Sequence, residues 1–498
     1  MKFKSMLAKP YAGLVYKGIK KSMETAVEDQ EKIFKELLKV GKETDFGKYH
    51  HLKDVNSHEE FTQAVKVREY EAFKPWIEKI KEGKHNILWK GRPIYFAKTS
   101  GTTSGTKYIP ITRDSISNHI NGAKHALLCY IAETGNHRFT DGKMIFLSGS
   151  PVLERIGGIP TGRLSGIVNH HIPAYLRTNQ LPSYETNCIE DWENKLERIV
   201  EETRSKDMTL ISGIPPWMQM YFDKLLEVTG KKVGDLFPNF SVMVHGGVNF
   251  EPYKAKLFDS IGRKVDTIET FPASEGFMAF QDSQEAEGLI LNTNSGIFFE
   301  FIPSNEIFND NPTRLKLSEV KTGENYAVIL TTNAGLWSYN IGDTVKFVST
   351  SPYRVVVTGR IKHFISAFGE HVIGEEVDYS LIKAAEEAGV KIIEFTVAPY
   401  INPEEKGKSY HEWFIEFEET PSDLEKFALK VDQNLQEKNI YYRDLIQGNI
   451  LTPLKITPVR KNGFIDMMKS QGKLGGQNKV PRLSNDRKIA DLLKAYIA

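Results

Sequence analysis

Cysteine is almost missing from this 498-residue chain: Cys129 and Cys188 are the only two. That excludes a disulfide framework and a cysteine-rich zinc fold, and predicts two buried thiols in a reducing, cytoplasmic setting. Long apolar runs are absent as well. Nowhere do about 18 consecutive apolar residues occur, and Met1–Lys21 carries lysines throughout, so neither a membrane span nor a secretory leader is expected. Nor is there an excess of one charge. With 65 Lys+Arg against 64 Asp+Glu, a formal net charge of +1 lacks the basic field of a dedicated nucleic-acid binder. No repeat, low-complexity tract or His-Glu-x-x-His run appears, and the adjacent pairs His50-His51 and His170-His171 suit surface or core positions better than metal ligation.

What the chain has is core-building material: 40% hydrophobic residues, with 28 Phe, 20 Tyr and 6 Trp. At roughly 150 residues per domain, the length predicts two to four units. Helical spacing predicts a long amphipathic helix over 14–42 and a second segment over 57–81. Apolar runs at 94–97, 144–147, 208–212, 242–245 and 265–270 alternate with helical patterns at 114–134, 190–205 and 216–229. That alternation reads as an α/β domain with a largely parallel sheet. From 285 to 358 strands succeed one another without helices, as an antiparallel sheet or a small barrel would require. After Gly359-Arg360 come a helix at 375–388, strands at 393–398 and 412–417, a helix at 421–437 and a strand near 453–459. That is the order of a compact α+β domain. The division is expected between Gly359 and Gly374, giving domains 1–360 and 361–498.

Four segments could carry chemistry. Thr99-Ser100-Gly101-Thr102-Thr103-Ser104-Gly105-Thr106-Lys107 comes directly after a strand candidate. Its glycines let backbone approach a ligand, and its hydroxyls and lysine suit a polyphosphate. It is not a Walker A loop, which needs four residues between its glycines and Lys-Ser/Thr directly after. Ile268–Gly276 ends another strand, where α/β sheets gather ligands. There Glu275 could hold Mg²⁺ against phosphates, and Phe271 offers a flat face to a purine. Trp337–Asp343 reads as a turn whose Asp343 could accept from ribose hydroxyls. Gln471–Arg482 is a glycine-rich loop with Lys473 and Lys479, either of which could stabilise developing negative charge.

Together and in this order, the four segments resemble the auxin-responsive promoter family of acyl-acid amido synthetases, a branch of the adenylate-forming superfamily. Thr99–Lys107 resembles the family's Ser-Ser-Gly-Thr-Ser-x-Gly, and Phe271–Glu275 its Tyr-x-x-Ser-Glu with Phe for Tyr. Tyr339–Asp343 is similar to Tyr-x-x-Gly-Asp. Gln477-Asn478-Lys479-Val480-Pro481-Arg482 resembles Gln-Tyr-Lys-Thr-Pro-Arg, and the Pro-Arg pair selects Lys479 over Lys473. Gly359-Arg360-Ile361-Lys362 is similar to the superfamily hinge, and the resemblance extends back to Tyr70–Ile80.

It implies a large N-terminal ATP- and acyl-binding domain, with α/β sheets and a small β-barrel-like part, and a smaller mobile C-terminal domain. It also implies ATP and Mg²⁺ as cofactors and a two-step ligase reaction. A carboxylate attacks the α-phosphate of ATP, releasing pyrophosphate, and an acceptor then displaces AMP. The acceptor would be an amino acid, giving an amide; coenzyme A, giving a thioester, is the alternative, and a non-catalytic nucleotide-binding relative is another. In the implied roles, Ser100, Gly101, Thr102, Thr103 and Ser104 hold phosphates. Gly246 and Gly247 pass backbone against adenine, Phe271 stacks on it, and Ser274 and Arg360 line the nucleotide site. Asp343 holds the ribose, Glu275 binds Mg²⁺, and Lys479 bridges carboxylate and α-phosphate. Asn340-Ile341 departs from the Arg-containing spacing of plant members.

Overall fold

The computed structural model describes the chain except residues 1–2, 101–105, 173–176, 362–363, 366–369, 371, 402–408, 448–450 and 475–478; for 3–7, 100, 252, 360, 364–365, 440–441 and 444 only the backbone is described. Two compact units form: Met1–Val248 with Ile261–Val357, and Asn249–Ser260 with Thr358–Ala498.

The first unit opens with two helices, Phe3–Glu24 and Ala26–Gly41, where the periodicity predicts one. The break falls at Thr25, whose φ of −107° and ψ of 23° leave the helical region. The segment at 57–81 likewise divides into His58–Ala64 and Tyr70–Lys81. On Ala26–Gly41 the residues Ile33, Phe34, Leu37 and Leu38 are buried, the spacing that puts one helix face on the core.

In chain order the strands are β1 (Tyr95–Ser100), β2 (Thr106–Ile111), β3 (Lys143–Phe146), β4 (Glu154–Ile156), β5 (Ile159–Gly162), β6 (Gln180–Leu181), β7 (Met208–Gly213), β8 (Val242–Gly246), β9 (Asp266–Ala273), β10 (Gly276–Phe280), β11 (Leu289–Leu291), β12 (Ile297–Pro303), β13 (Asn325–Thr332), β14 (Tyr339–Thr350) and β15 (Tyr353–Arg360). Eleven of them make one sheet, ordered β12-β13-β14-β15-β11-β10-β9-β8-β7-β3-β6. Its β9-β8-β7-β3-β6 arm is parallel, with helices Trp192–Thr203 and Pro215–Thr229 on the connections. From β9 to β10 and onward the pairing turns antiparallel. Of the two arrangements expected for 285–358, the open antiparallel sheet is therefore the one that forms, as a continuation of the parallel strands. β1 and β2 stand apart from it, in a four-stranded sheet ordered β2-β1-β5-β4.

The second unit contains β16 (Phe364–Ile365), β17 (Val372–Ile373), β18 (Ile392–Tyr400), β19 (Tyr410–Phe417) and β20 (Lys455–Val459). The last three make a sheet, with β18 antiparallel and β20 parallel to β19. Period-two alternation sorts its side chains. Trp413 and Ile415 join the core shared with Val377, Leu381, Val431 and Leu435 of helices Gly374–Ala388 and Leu424–Lys438. Phe414 belongs to a second cluster with Phe464, Met467 and Leu493.

No described helix is long and apolar enough to cross a membrane. Cys129 is buried as expected, whereas Cys188 is only half-buried; both are free thiols.

Candidate active site

Two of the candidate segments meet through one side-chain contact. β9 ends at Ala273 and β10 begins at Gly276, leaving Ser274 and Glu275 as the turn of a tight hairpin. Ser274 is buried and Glu275 half-buried. Tyr339, the first residue of β14 and only 1% exposed, hydrogen-bonds the Glu275 carboxylate. Burial and that neighbouring charge hold the phenol well above its ordinary range.

A third segment joins through Tyr70. The Tyr108 N–H donates to the Tyr70 hydroxyl at 2.9 Å, and the Lys107 ammonium lies 5.8 Å from the Tyr70 ring centroid. Tyr70 in turn interacts electrostatically with Tyr339, and burial pushes its own pKa up to about 12. The first, second and third segments thus converge on the Tyr70–Tyr339 pair.

The hydroxyl-rich segment differs from the expected free loop at both ends. Thr99 pairs with Lys107 and Ser100 with Thr106 across the β1–β2 ladder, so both described ends of the segment are strand. Residues Gly101, Thr102, Thr103 and Ser104 lie outside the described residues, as does the side chain of Ser100.

Trp337–Asp343 also differs from the expected turn, since Tyr339–Asp343 lies inside β14. Just before the strand the backbone bends at Ser338, a non-glycine residue at φ 49°. It is held by its neighbours. The Arg68 N–H donates to the Ser338 carbonyl at 3.1 Å, and the Asn340 N–H to the Arg68 carbonyl at 2.9 Å. Behind it, Arg314 donates to Glu300 through Nε at 2.9 Å and Nη2 at 2.7 Å, and to the Ser338 hydroxyl at 2.6 Å. His58 Nε2 lies 2.8 Å from the same carboxylate. Burial alone would raise the Glu300 pKa, but the Arg314 charge and the hydrogen bonds from His58 and Arg314 outweigh it and hold the carboxyl low.

Asp343 owes its position to a bulge. β13 and β14 pair Ala327 with Thr344 and Ile329 with Asn340, so Ile341, Gly342 and Asp343 face the single residue Val328. Such irregularities re-aim side chains beside functional sites. Gly342, at φ 84°, supplies the backbone this requires.

At the end of β8, Gly246 runs beside Thr270. A Cβ on Gly246 would sit 2.2 Å from the Thr270 carbonyl oxygen and 2.8 Å from its hydroxyl. Only glycine lets the two strands approach that closely. Gly247 comes next, exposed and at φ 79°. Phe271 is 7% exposed and belongs to the main core, so most of the face expected for stacking is already covered by protein.

Among the described residues no cluster of three His, Cys, Asp or Glu could enclose a metal ion. Glu275 alone would suit Mg²⁺, which takes one or two carboxylates and completes its shell with phosphate and water. Arg360 ends β15, one residue after Gly359 at φ 148°.

In the second unit Lys479 and Lys473 are both exposed. The chain just beyond Lys479 is anchored to β18. Thr396 donates its hydroxyl to the Pro481 carbonyl at 2.6 Å, and the Val397 N–H donates to the Arg482 carbonyl at 2.9 Å. The Arg482 guanidinium donates to Glu394 and, at 2.6 Å, to the Tyr253 hydroxyl. Neither this network nor the Arg314–Glu300–His58 group stands out in the sequence, because each assembles residues far apart with no shared spacing.

The architecture is that of an acyl acid amido synthetase. One solved structure of that kind, "GH3.15 acyl acid amido synthetase", superposes with a TM-score of 0.79 at 15% identity over 97% of this chain and 96% of that one. A 2-hydroxyisobutyryl-CoA ligase in its postadenylation state superposes at 0.60 with 12% identity, covering 95% and 91%. The chain belongs to the GH3 family. Its N-terminal domain matches residues 15–185, its central domain 290–360 and its C-terminal domain 375–488. Among curated relatives, the indole-3-acetic acid-amido synthetase GH3.3 of Arabidopsis thaliana is 26% identical over 40% of this chain and 35% of its own length. The jasmonoyl–L-amino acid synthetase JAR4 of Nicotiana attenuata is 22% identical over 64% and 66%. The chain thus spans less than two thirds of those two relatives. The synthetase GH3.4 of Arabidopsis thaliana aligns over 94% of the chain and 91% of its own length at 21% identity.

Proposed function

We propose that the protein is an AMP-forming ligase that activates an organic carboxylic acid with ATP and transfers the acyl group to an amino acid, forming an amide. The observation that carries this reading is the Tyr339–Glu275 contact, which with Tyr70 and Tyr108 gathers three motif segments of an adenylate-forming family around one point. In the first step a substrate carboxylate oxygen attacks the α-phosphorus of ATP and pyrophosphate leaves. In the second, the acceptor amine attacks the acyl carbon, AMP departs, and the amine loses a proton.

The protein's part is to fix donors and charges where negative charge builds up. The backbone and hydroxyls of Ser100–Ser104 would cradle the phosphates, and Glu275, oriented by Tyr339, would hold Mg²⁺, which would offset phosphate charge. Gly246 and Gly247 admit the adenine along their backbone and Ser274 flanks it. Phe271, 7% exposed, would offer adenine only a small part of its surface. Asp343, presented by its bulge, accepts from the ribose. Lys479 supplies a positive charge to the reacting carboxylate and α-phosphate, and Arg360 lies at the pivot. The pivot at Gly359–Lys362 lets the second unit bring Lys479 in for adenylation and withdraw it for transfer. Free thiols at Cys129 and Cys188 suit a cytoplasmic setting.

Pyrophosphate exchange across aryl, indolyl and aliphatic acids tests the first step. AMP release with amino acids against coenzyme A tests the second. Exchange with at least one acid, then amine-dependent AMP release, is expected. Thiol-dependent release alone makes the enzyme a thioester ligase. No magnesium-dependent ATP consumption with any acid refutes the enzymatic reading.

A further inference from the structure

A second polar cluster lies in the first unit at the C-terminal end of β3, the side of an α/β sheet where ligands collect. Lys195, on helix Trp192–Thr203, is 2% exposed. Its ammonium donates to the backbone carbonyls of Ser148 and Asn187, each at 2.9 Å. Two carbonyls satisfy two N–H groups and leave the charge itself without a counter-ion; among the described residues it has no carboxylate partner. Burial of an ammonium that is unpaired is costly. That burial, eased by the Cys188 thiol and reinforced by the Arg163 charge, lowers the Lys195 pKa to about 8.

Arg163 adds a second cation. Its stem lies across Gly149, where an added Cβ would sit 2.5 Å from Arg163 Cδ. Half-buried, its guanidinium makes no hydrogen bond or ion pair among the described residues, and Glu190 is felt only as a distant charge. The same two residues that hold Lys195 also carry unused polar groups. Both side-chain atoms of Asn187, 1% exposed, and the hydroxyl of Ser148 are buried without a hydrogen-bond partner. Buried polar groups left unpaired are rare in folded proteins and point to a missing water, ion or ligand.

We propose that Lys195, Arg163, Asn187 and Ser148 form a binding site for an organic carboxylate. Two cations and a set of neutral donors match the acceptor oxygens of that group. The site itself stands on these contacts; only the choice of carboxylate rests on the ligase reading. Under that reading the source is either the spectator carboxylate of the acceptor amino acid or the acid to be activated.

Direct titration of the full chain without ATP separates the two and is independent of catalysis. L-Leucine is compared with L-leucinamide, and phenylacetate with phenylacetamide, by isothermal calorimetry. The expected result is binding of leucine or phenylacetate that its amide lacks, weakened tenfold or more by Lys195→Met and by Arg163→Gln, with partial recovery in Arg163→Lys. Leucine binding identifies the acceptor site, and phenylacetate binding the acyl site. If Lys195→Met fails to fold, Arg163→Gln decides alone, since its side chain makes no hydrogen bond to lose. Carboxylates binding no better than their amides, or variants binding as the parent does, overturn the proposal. Pyrophosphate exchange measured in parallel shows whether the ligase reading stands or falls separately.

Discussion

Arg314→Met removes one partner of a carboxylate that has no access to water. Glu300 is 0% exposed and takes two hydrogen bonds from Arg314, at 2.9 and 2.7 Å. Arg314 also donates to the Val65 carbonyl and the Ser338 hydroxyl, both at 2.6 Å. After the substitution only His58 faces the charge. Breaking a buried pair in this way costs about 3–5 kcal/mol. Urea unfolding at pH 7.5, monitored by tryptophan fluorescence and analysed as separate transitions for the two units, should show that loss in the first unit.

The pH dependence has a definite sign. In the parent the Glu300 pKa is held below its unfolded value, so its contribution is full above about pH 4.5 and lost as pH falls through the lower folded value. In the variant, burial dominates and raises the carboxyl, so Glu300 can enter the fold protonated and the deficit should shrink towards pH 5. The double variant Glu300→Met/Arg314→Met should be less damaged than Arg314→Met, because it leaves no charge stranded. A deficit under about 1 kcal/mol at pH 7.5, or one that grows on acidification, would refute the assignment.

Three further outcomes are expected. Gly246→Ala should force β8 from β9 and cost roughly 1–3 kcal/mol in thermal unfolding, since its Cβ meets backbone rather than a movable side chain. Lys479→Ala should abolish carboxylate-dependent pyrophosphate exchange yet leave consumption of a supplied acyl-adenylate largely intact; equal loss of both steps contradicts a role confined to adenylation. Glu416, whose pKa burial raises to about 7 despite the Asn462 and Phe464 amides, binds its proton more tightly folded than unfolded. The second unit should therefore lose stability as pH rises from about 4.5 through 7, and Glu416→Gln should flatten that slope, read from denaturation midpoints across pH.

Much of this architecture is legible from local pattern. The apolar runs at 208–212 and 242–245 become β7 and β8: their shortness, β-branched residues and alternation with helical patterns favour strands covered on both faces. The helix expected at 375–388 forms as Gly374–Ala388, and Glu376 accepts from the Ile373 N–H at its start, a cap that Ile373 does not signal in the sequence. The break at Thr25 is not legible, because no proline or glycine marks it. Tyr339–Asp343 reads as a turn through Gly342-Asp343, yet tertiary pairing with β13 carries the strand across the glycine. Phe271 reads as a surface for a purine, but its neighbours close over it, and only three-dimensional packing decides that. The motif segments announce themselves by composition, and Tyr70 by the resemblance that reaches back to it; Arg68 and the Arg314–Glu300 pair do not.

Helix Glu251–Ile261 lies in sequence between β8 and β9, yet residues 249–260 fold with the second unit. Tyr253 is 4% exposed and receives its hydrogen bond from Arg482, more than two hundred positions downstream. The backbone therefore passes from one unit to the other three times, near 248, 260 and 357. No single cut yields two intact halves: a product ending at 360 would keep a helix whose mates were never made. On the ribosome, that helix must wait for more than two hundred further residues to emerge before it can settle.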